Sequence, residues 1–195
     1  LRTQLAPDSP GAPLHRAEAG GNLPAMPRLH QANGLGGFTQ EGGYVILPGE
    51  SRDGIAPWCH ILANDVFGTL VCERGILFSC AGNSRLARVT AVSQDSVHPA
   101  LSEEYLLREG DRAWPLTPAP YHNARTRVSY EMGAAVYQCA LPGMQATLTC
   151  LTDCEHPAGL RILSLHNSGN EKRTLQYIAA VHFAMGEDGR GTRVW

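Results

Sequence analysis

"AAVYQCAL" (Ala134–Leu141) and "MQATLTC" (Met144–Cys150) decide the fold. In the first run Ala135, Tyr137, Cys139 and Leu141 fall on alternate positions, and in the second Met144, Ala146, Leu148 and Cys150 do. Successive side chains of an extended strand point to opposite faces, so apolar residues at every second position mark a half-buried strand. "RTRVSYEM" just upstream carries the same period, with Val128, Tyr130 and Met132 on one face.

The pattern extends in both directions. "GYVIL" (Gly43–Leu47) is a short apolar strand. "GTLVCE" and "GILFSC" are two β-rich runs around Arg74, which predicts a hairpin. Downstream, "GLRILSL" and "KRTLQYIAAVHFAM" flank "HNSGN", whose Asn167, Gly169 and Asn170 predict a hairpin turn joining two strands. Leu175, Tyr177, Ala179, Val181, Phe183 and Met185 alternate with a second, only moderately polar set. A helix competes there, but Tyr, Ile, Val and Phe at these positions favour a strand, one covered on both faces. No convincing long helix and no internal repeat interrupt the series. Residues 1–28, rich in Pro, Ala and Gly, read as a linker, and 29–195 as one all-β domain, an antiparallel β-sandwich.

Composition narrows the function. The 195 residues are 43% hydrophobic and 17% charged, with a formal net charge of −2. Lys172 is the only lysine. This charge gives no electrostatic footprint for nucleic acid or an anionic membrane. No apolar run reaches the roughly 18 residues that a spanning helix needs. The opening residues carry no secretory pattern and no initiator Met, so sequence upstream and a cytoplasmic location are expected. The six cysteines are expected to be reduced thiols.

"NGLGGF" (Asn33–Phe38) invites a phosphate-loop reading. That chemistry needs a helix N-terminus after the glycines, and here a turn and a strand follow. A crowded turn needing positive φ is the better account. "CLTDCEH" (Cys150–His156) offers three irregularly spaced ligand types where zinc takes four. Cys150 lies on the apolar face of its strand and reads as a buried thiol. None of the eight histidines forms a metal or nucleophile motif, and Cys59 and His60, adjacent on a strand, point to opposite faces. Glu103 and Glu104 read as a solvated strand edge or hairpin, so no carboxylate pair can be assigned for sugar chemistry. Trp58, Asn64, Phe67, Asn83 and Arg85 are the residue types that stack on and grip sugars. Gathered in loops at one end of a sandwich they would form a carbohydrate surface; otherwise they are plain loop and core residues.

Four motifs stand in order along the chain: N-G-L-G-G-F (Asn33–Phe38), A-P-W (Ala56–Trp58), A-N-D-V-F-G (Ala63–Gly68) and N-S-R (Asn83–Arg85). In this order the sequence resembles the N-terminal region of inverting glycoside phosphorylases, the cellobiose and chitobiose phosphorylase family. The likeness is strongest to the phosphorylase-like part of cyclic β-1,2-glucan synthases and to 1,2-β-oligoglucan phosphorylases. It covers about residues 30–187, through "LRILSLHNSGNEKRTLQYIAAVHFAMG". Cys80 and Val92 stand where the family carries tryptophans, so a sugar contact through those two side chains is not implied.

The resemblance implies a large antiparallel supersandwich that continues past "GRGTRVW" and precedes a helical linker and an (α/α)6 barrel. The barrel would hold the general-acid aspartate and the phosphate site, where phosphate attacks the anomeric carbon with inversion and releases a sugar 1-phosphate. This region would support the barrel, share in a homodimer and edge the sugar site, touching an oligosaccharide or β-glucan through Asn33, Phe38, Trp58, Asn64, Phe67, Asn83 and Arg85. No catalytic residue, cofactor or metal is expected in this chain, and no membrane contact, although a glucan-synthase parent could be membrane-anchored. A stand-alone carbohydrate-binding module and a purely structural sandwich are the alternatives.

Overall fold

A computed structural model describes residues 15–16, 20–47, 56–118 and 126–186. All regular structure among them is extended, in two sheets with strands numbered in chain order. The first sheet runs β1 (His15–Arg16), β9 (Arg112–Pro115), β8 (Glu103–Glu109), β6 (Gly75–Ala81), β5 (Phe67–Cys72) and β4 (Cys59–Ala63). Beside this path β14 (Gln176–Val181) pairs with β8, and β15 (Phe183–Gly186) pairs with β7 (Arg88–Thr90), which pairs with β6. The second sheet runs β13 (Gly159–Asn167), β12 (Met144–Thr152), β11 (Ala134–Leu141), β10 (Thr126–Glu131), β3 (Tyr44–Ile46) and β2 (Gly36–Phe38).

The period-two faces become the core. Ala135, Tyr137, Cys139 and Leu141 are each at most 1% exposed, and Met144, Ala146, Leu148 and Cys150 at most 3%. Pro142 and Gly143 join their strands in a two-residue turn closed by the Leu141–Met144 pair, with Gly143 at φ 65°. Leu62, Val71, Ile76, Tyr105, Leu107, Trp114 and Leu116 of the first sheet's strands and adjoining loop meet this face in the same buried cluster. The Arg74 hairpin forms as expected, with Cys72 opposite Gly75.

Several polar side chains that face inward are paired between the sheets. Tyr137 donates to the Cys72 carbonyl at 2.7 Å, and Thr152 to the Leu62 carbonyl at 2.9 Å. Arg161 of β13 grips Glu103 of β8 with two bonds of 2.9 and 3.0 Å. Buried polar groups keep their place in a core only when such partners meet their hydrogen bonds.

Several expectations are corrected. "HNSGN" does not close a hairpin: β13 pairs with β12 in one sheet and β14 with β8 in the other, so the chain crosses between layers there. The run from Leu175 to Met185 is not one strand. It breaks at His182, whose backbone bonds Ser102 and Ala91, each at 2.9 Å. Nor is it covered on both faces, since Tyr177, Phe183 and Met185 are 44%, 42% and 51% exposed among the described residues. Met132 leaves the face it was assigned to, because β10 ends at Glu131 and Met132 sits fully exposed in the turn. Glu103 is not solvated; it is 6% exposed, in a strand with partners on both sides.

Part of the expected linker is bound to the domain. His15–Arg16 pairs in parallel with β9, and the Ala25 carbonyl accepts from the buried Arg127 guanidinium at 3.2 Å. Residues 1–14 and 17–19 and the "GRGTRVW" end lie outside the described residues.

Burial pushes the thiols of Cys72, Cys139 and Cys150 up to about 12. A thiol reacts as its thiolate, so these three react slowly with reagents from solution at neutral pH, while Cys59 and Cys154 are exposed. Alkylation of the native reduced chain, read by peptide mass mapping, is expected to modify Cys59 and Cys154 within the time that leaves Cys72, Cys139 and Cys150 untouched. Modification of all of them at one rate would contradict the buried strand faces.

Candidate functional site: an aromatic seam

The glycines of "NGLGGF" are required for two different reasons. Gly34 adopts φ 82°, where a Cβ is strained. Gly36 and Gly37 instead lie where other atoms crowd in. A Cβ on Gly36 would sit 2.5 Å from the Val45 carbonyl oxygen and 2.7 Å from the Tyr44 ring. One on Gly37 would sit 3.0 Å from the Leu29 side chain and 3.1 Å from the His30 carbonyl oxygen. Asn33 pins the turn, its Oδ1 accepting from the Leu35 and Gly36 backbone N–H groups at 3.0 Å each. The strand β2 therefore begins inside the motif, and no helix follows.

This turn delivers Phe38 to a row of rings. Phe38 meets Tyr44 edge-on at 5.0 Å between centroids, and Tyr44 meets Trp58 edge-on at 5.5 Å. Tyr130 donates its hydroxyl to the Trp58 carbonyl at 2.7 Å and stacks on His60 at 5.0 Å. The His60 Nε2 lies 3.0 Å from the Glu131 carbonyl oxygen. Rings from β2, β3, β10 and the start of β4 thus form one seam where the two sheets meet. Phe38 is 42% and the neighbouring Leu35 46% exposed, so the outer end of the seam faces solvent. Ring faces and edges of this kind bind the C–H-rich faces of sugars by the same apolar and quadrupolar attraction that pairs them with each other.

The other expected residues lie elsewhere. Trp58 precedes β4 and Asn64 follows it, about 20 Å apart at ~3.4 Å per residue. Asn64 spends its whole amide: Oδ1 accepts from Val66 and Phe67 N–H at 2.8 and 2.7 Å, and Nδ2 donates to the Asp153 and His156 carbonyls at 2.8 Å each. A side-chain amide offers four such positions, so none is left for a sugar hydroxyl. Asn64 instead ties the β4–β5 turn to the β12–β13 connection. Phe67 begins β5 opposite Ala81 and packs near Gly159, where an added Cβ would approach its ring to 3.2 Å. Asn83 caps its own turn, accepting from Arg85 and Leu86 N–H at 2.9 and 2.8 Å. Asn64, Phe67, Asn83 and Arg85 share one end of the first sheet, and Asn33, Phe38 and Trp58 share the seam.

Tyr44, Tyr130 and His60 belong to the seam although the sequence did not single them out for it. Tyr44 lies opposite Phe38 in the β2–β3 pairing, Tyr130 joins it through the pairing of β10 with β3, and His60 reaches Tyr130 from the other sheet. The cue in the sequence was Tyr130 on the same strand face as Val128, which places the ring but not its neighbours.

The sequence matches the family profile described as "Glycosyl hydrolase 94, supersandwich domain" over residues 42–192. The chain belongs to the glycosyl hydrolase 94 supersandwich family. The supersandwich is also similar to the cyclic beta-(1,2)-glucan synthase NdvB of Rhizobium meliloti (strain 1021), at 24% identity over 161 residues. That alignment covers 80% of this chain and 6% of the relative, so the chain spans a small part of that protein's length. The two sheets, all extended among the described residues, are the architecture the family description names. No helix of the described residues is long and apolar enough to cross a membrane.

Proposed function

We propose that this supersandwich is the non-catalytic N-terminal domain of a larger, cytoplasmic carbohydrate-active enzyme of the glycoside phosphorylase type, acting on β-glucans. It supports an (α/α)6 catalytic barrel and its homodimer, and it edges the sugar site. Two facts favour this reading: the family match over 42–192, and the likeness to a glucan synthase of which the chain covers 6%. The aromatic seam carries the sugar-facing part of the proposal, with Phe38 as its exposed platform and Asn33 beside it. Asn64 acts structurally, and Phe67, Asn83 and Arg85 form a second, looser candidate rim. The general acid and the phosphate site lie in the barrel.

The test has two arms. Incubated with a β-1,2-linked gluco-oligosaccharide and phosphate, this chain is expected to release no sugar 1-phosphate; turnover would overturn the non-catalytic reading. Titrated with the same oligosaccharide, it is expected to bind weakly, with Kd of about 1 mM (~4 kcal/mol). Phe38→Ala should weaken that binding at least about tenfold, or ~1.4 kcal/mol. Binding unchanged by Phe38→Ala would remove the seam from the sugar site. The exposed ring also favours a second reading, a stand-alone carbohydrate-binding module, and submicromolar affinity of the isolated chain would support it over the first.

A further inference from the structure

Cys59 and Cys72 are directly opposed on the neighbouring strands β4 and β5. The Glu73 N–H donates to the Trp58 carbonyl at 3.3 Å, which joins the residue before Cys59 to the residue after Cys72. A bond placed there makes Cys59–Cys72 a non-hydrogen-bonded pair of the antiparallel ladder. Such pairs hold their Cα atoms about 4.5 Å apart, with both side chains on one face. Disulfides span Cα separations of roughly 4.4–6.8 Å, so this pair sits at the close end of the allowed range. No other two cysteines of the described residues are paired in register.

The surroundings of the two thiols differ. Cys59 is exposed and Cys72 is 0% exposed. Both are free thiols in this structure. One thiol can therefore meet a reagent from solution, and the other can reach only its neighbour across the ladder.

We propose that Cys59 and Cys72 are a reversible redox site that closes a cross-strand disulfide, with Cys59 as the attacking thiol and Cys72 as the resolving one. The oxidant is a low-molecular-weight disulfide such as glutathione disulfide. The Cys59 thiolate attacks one of its sulfurs, forming a mixed disulfide and releasing one glutathione thiolate, while the Cys59 proton passes to solvent. The Cys72 sulfur, after losing its own proton, then attacks the Cys59 sulfur and expels the second glutathione. In sum two protein thiols are oxidised to one disulfide and one glutathione disulfide is reduced to two thiols. The bond clips the open end of the β4–β5 hairpin, away from its turn at Asn64, and one residue from Trp58 in the seam. A bond at the close end of the range, with one exposed sulfur, belongs to the readily reduced class.

The reduced chain is incubated under native conditions with glutathione disulfide and reduced glutathione at graded ratios. Free thiols are then alkylated and the peptides mapped by mass. The expected result is a Cys59–Cys72 link, two hydrogens lighter, with no retained glutathione and full reversal by excess reduced glutathione. Cys59→Ser abolishes the link. Cys72→Ala stops the exchange half-way and traps glutathione on Cys59. Wild-type Cys59 that retains glutathione, stays unmodified or couples to a second molecule would overturn the proposal. If Cys72→Ala does not fold, the wild type and Cys59→Ser decide the matter, since the exposed Cys59 side chain contributes little to the core.

Discussion

Arg161→Met is expected to lower the free energy of unfolding by about 3–5 kcal/mol. Arg161 and Glu103 lie in different sheets, and their side chains are 11% and 7% exposed. The guanidinium meets both carboxylate oxygens, at 2.9 and 3.0 Å. Tyr105 donates its hydroxyl to the same carboxylate, and Ser79 donates at 3.4 Å. Burial works against the Arg161 charge, but the Glu103 carboxylate more than offsets this and leaves the guanidinium pKa above its ordinary value. Removing the guanidinium strands a carboxylate in the core with hydroxyl donors alone, and the cost of an unpaired buried charge then falls on the folded state. Glu103→Gln should cost less, because the amide keeps the shape and can still accept from Arg161. Joint replacement by Glu103→Leu and Arg161→Met should cost well under the sum of the two single losses, since no charge is then left buried. Urea unfolding of these chains reads all of the values. A loss below about 1 kcal/mol for Arg161→Met, the value of an exposed pair, would mean that the bridge is open to water.

That bridge also marks where sequence reading reached its limit. Alternation tells which residues of β11 and β12 face inward, and the two alternating sets from Ala135 to Cys150 are buried, with Ala140 the one buried residue off that face, because face is a local property of an extended chain. It could not tell which strand lies next to which. Arg161 and Glu103 are 58 positions apart, and nothing local distinguishes a buried Glu103 from the exposed Glu104 beside it. The same gap explains "HNSGN". Asn and Gly announce a reversal of the chain, but a reversal within one sheet and a crossing between two sheets use the same turn residues.

The candidate site divides along the same line. The ordered motifs reported the family, and "NGLGGF" reported its own turn. By residue type Asn64 suits a sugar-gripping amide. Its partners, two of them 89 and 92 positions away, make it a brace instead. The seam is half legible: residue type points to Asn33, Phe38 and Trp58, whereas Tyr44, Tyr130 and His60 join them through strand pairing and contact between the sheets.

Trp114→Ala is expected to cost about 3–5 kcal/mol, and Trp58→Ala distinctly less. Trp114 is 2% exposed between the sheets, and Arg173, bonded to Glu109 at 3.0 and 2.5 Å, places its guanidinium 6.0 Å from the ring centre. Truncation there removes the largest fully buried side chain of the first sheet and leaves a cavity that two hydrogen-bonded layers cannot collapse to fill. Trp58 packs on the core from outside it and is only partly buried, so part of its ring is in water before and after truncation. The two substitutions separate stability from recognition. Calorimetry should show a large fall in Tm for Trp114→Ala and a small one for Trp58→Ala, while oligosaccharide titration should show the greater loss for Trp58→Ala. If Trp58→Ala destabilises the fold as much as Trp114→Ala does and leaves sugar binding intact, Trp58 is a core residue and the seam narrows to Phe38 and Tyr44. If both substitutions are mild, the sheets are less tightly packed around Trp114 than its burial requires.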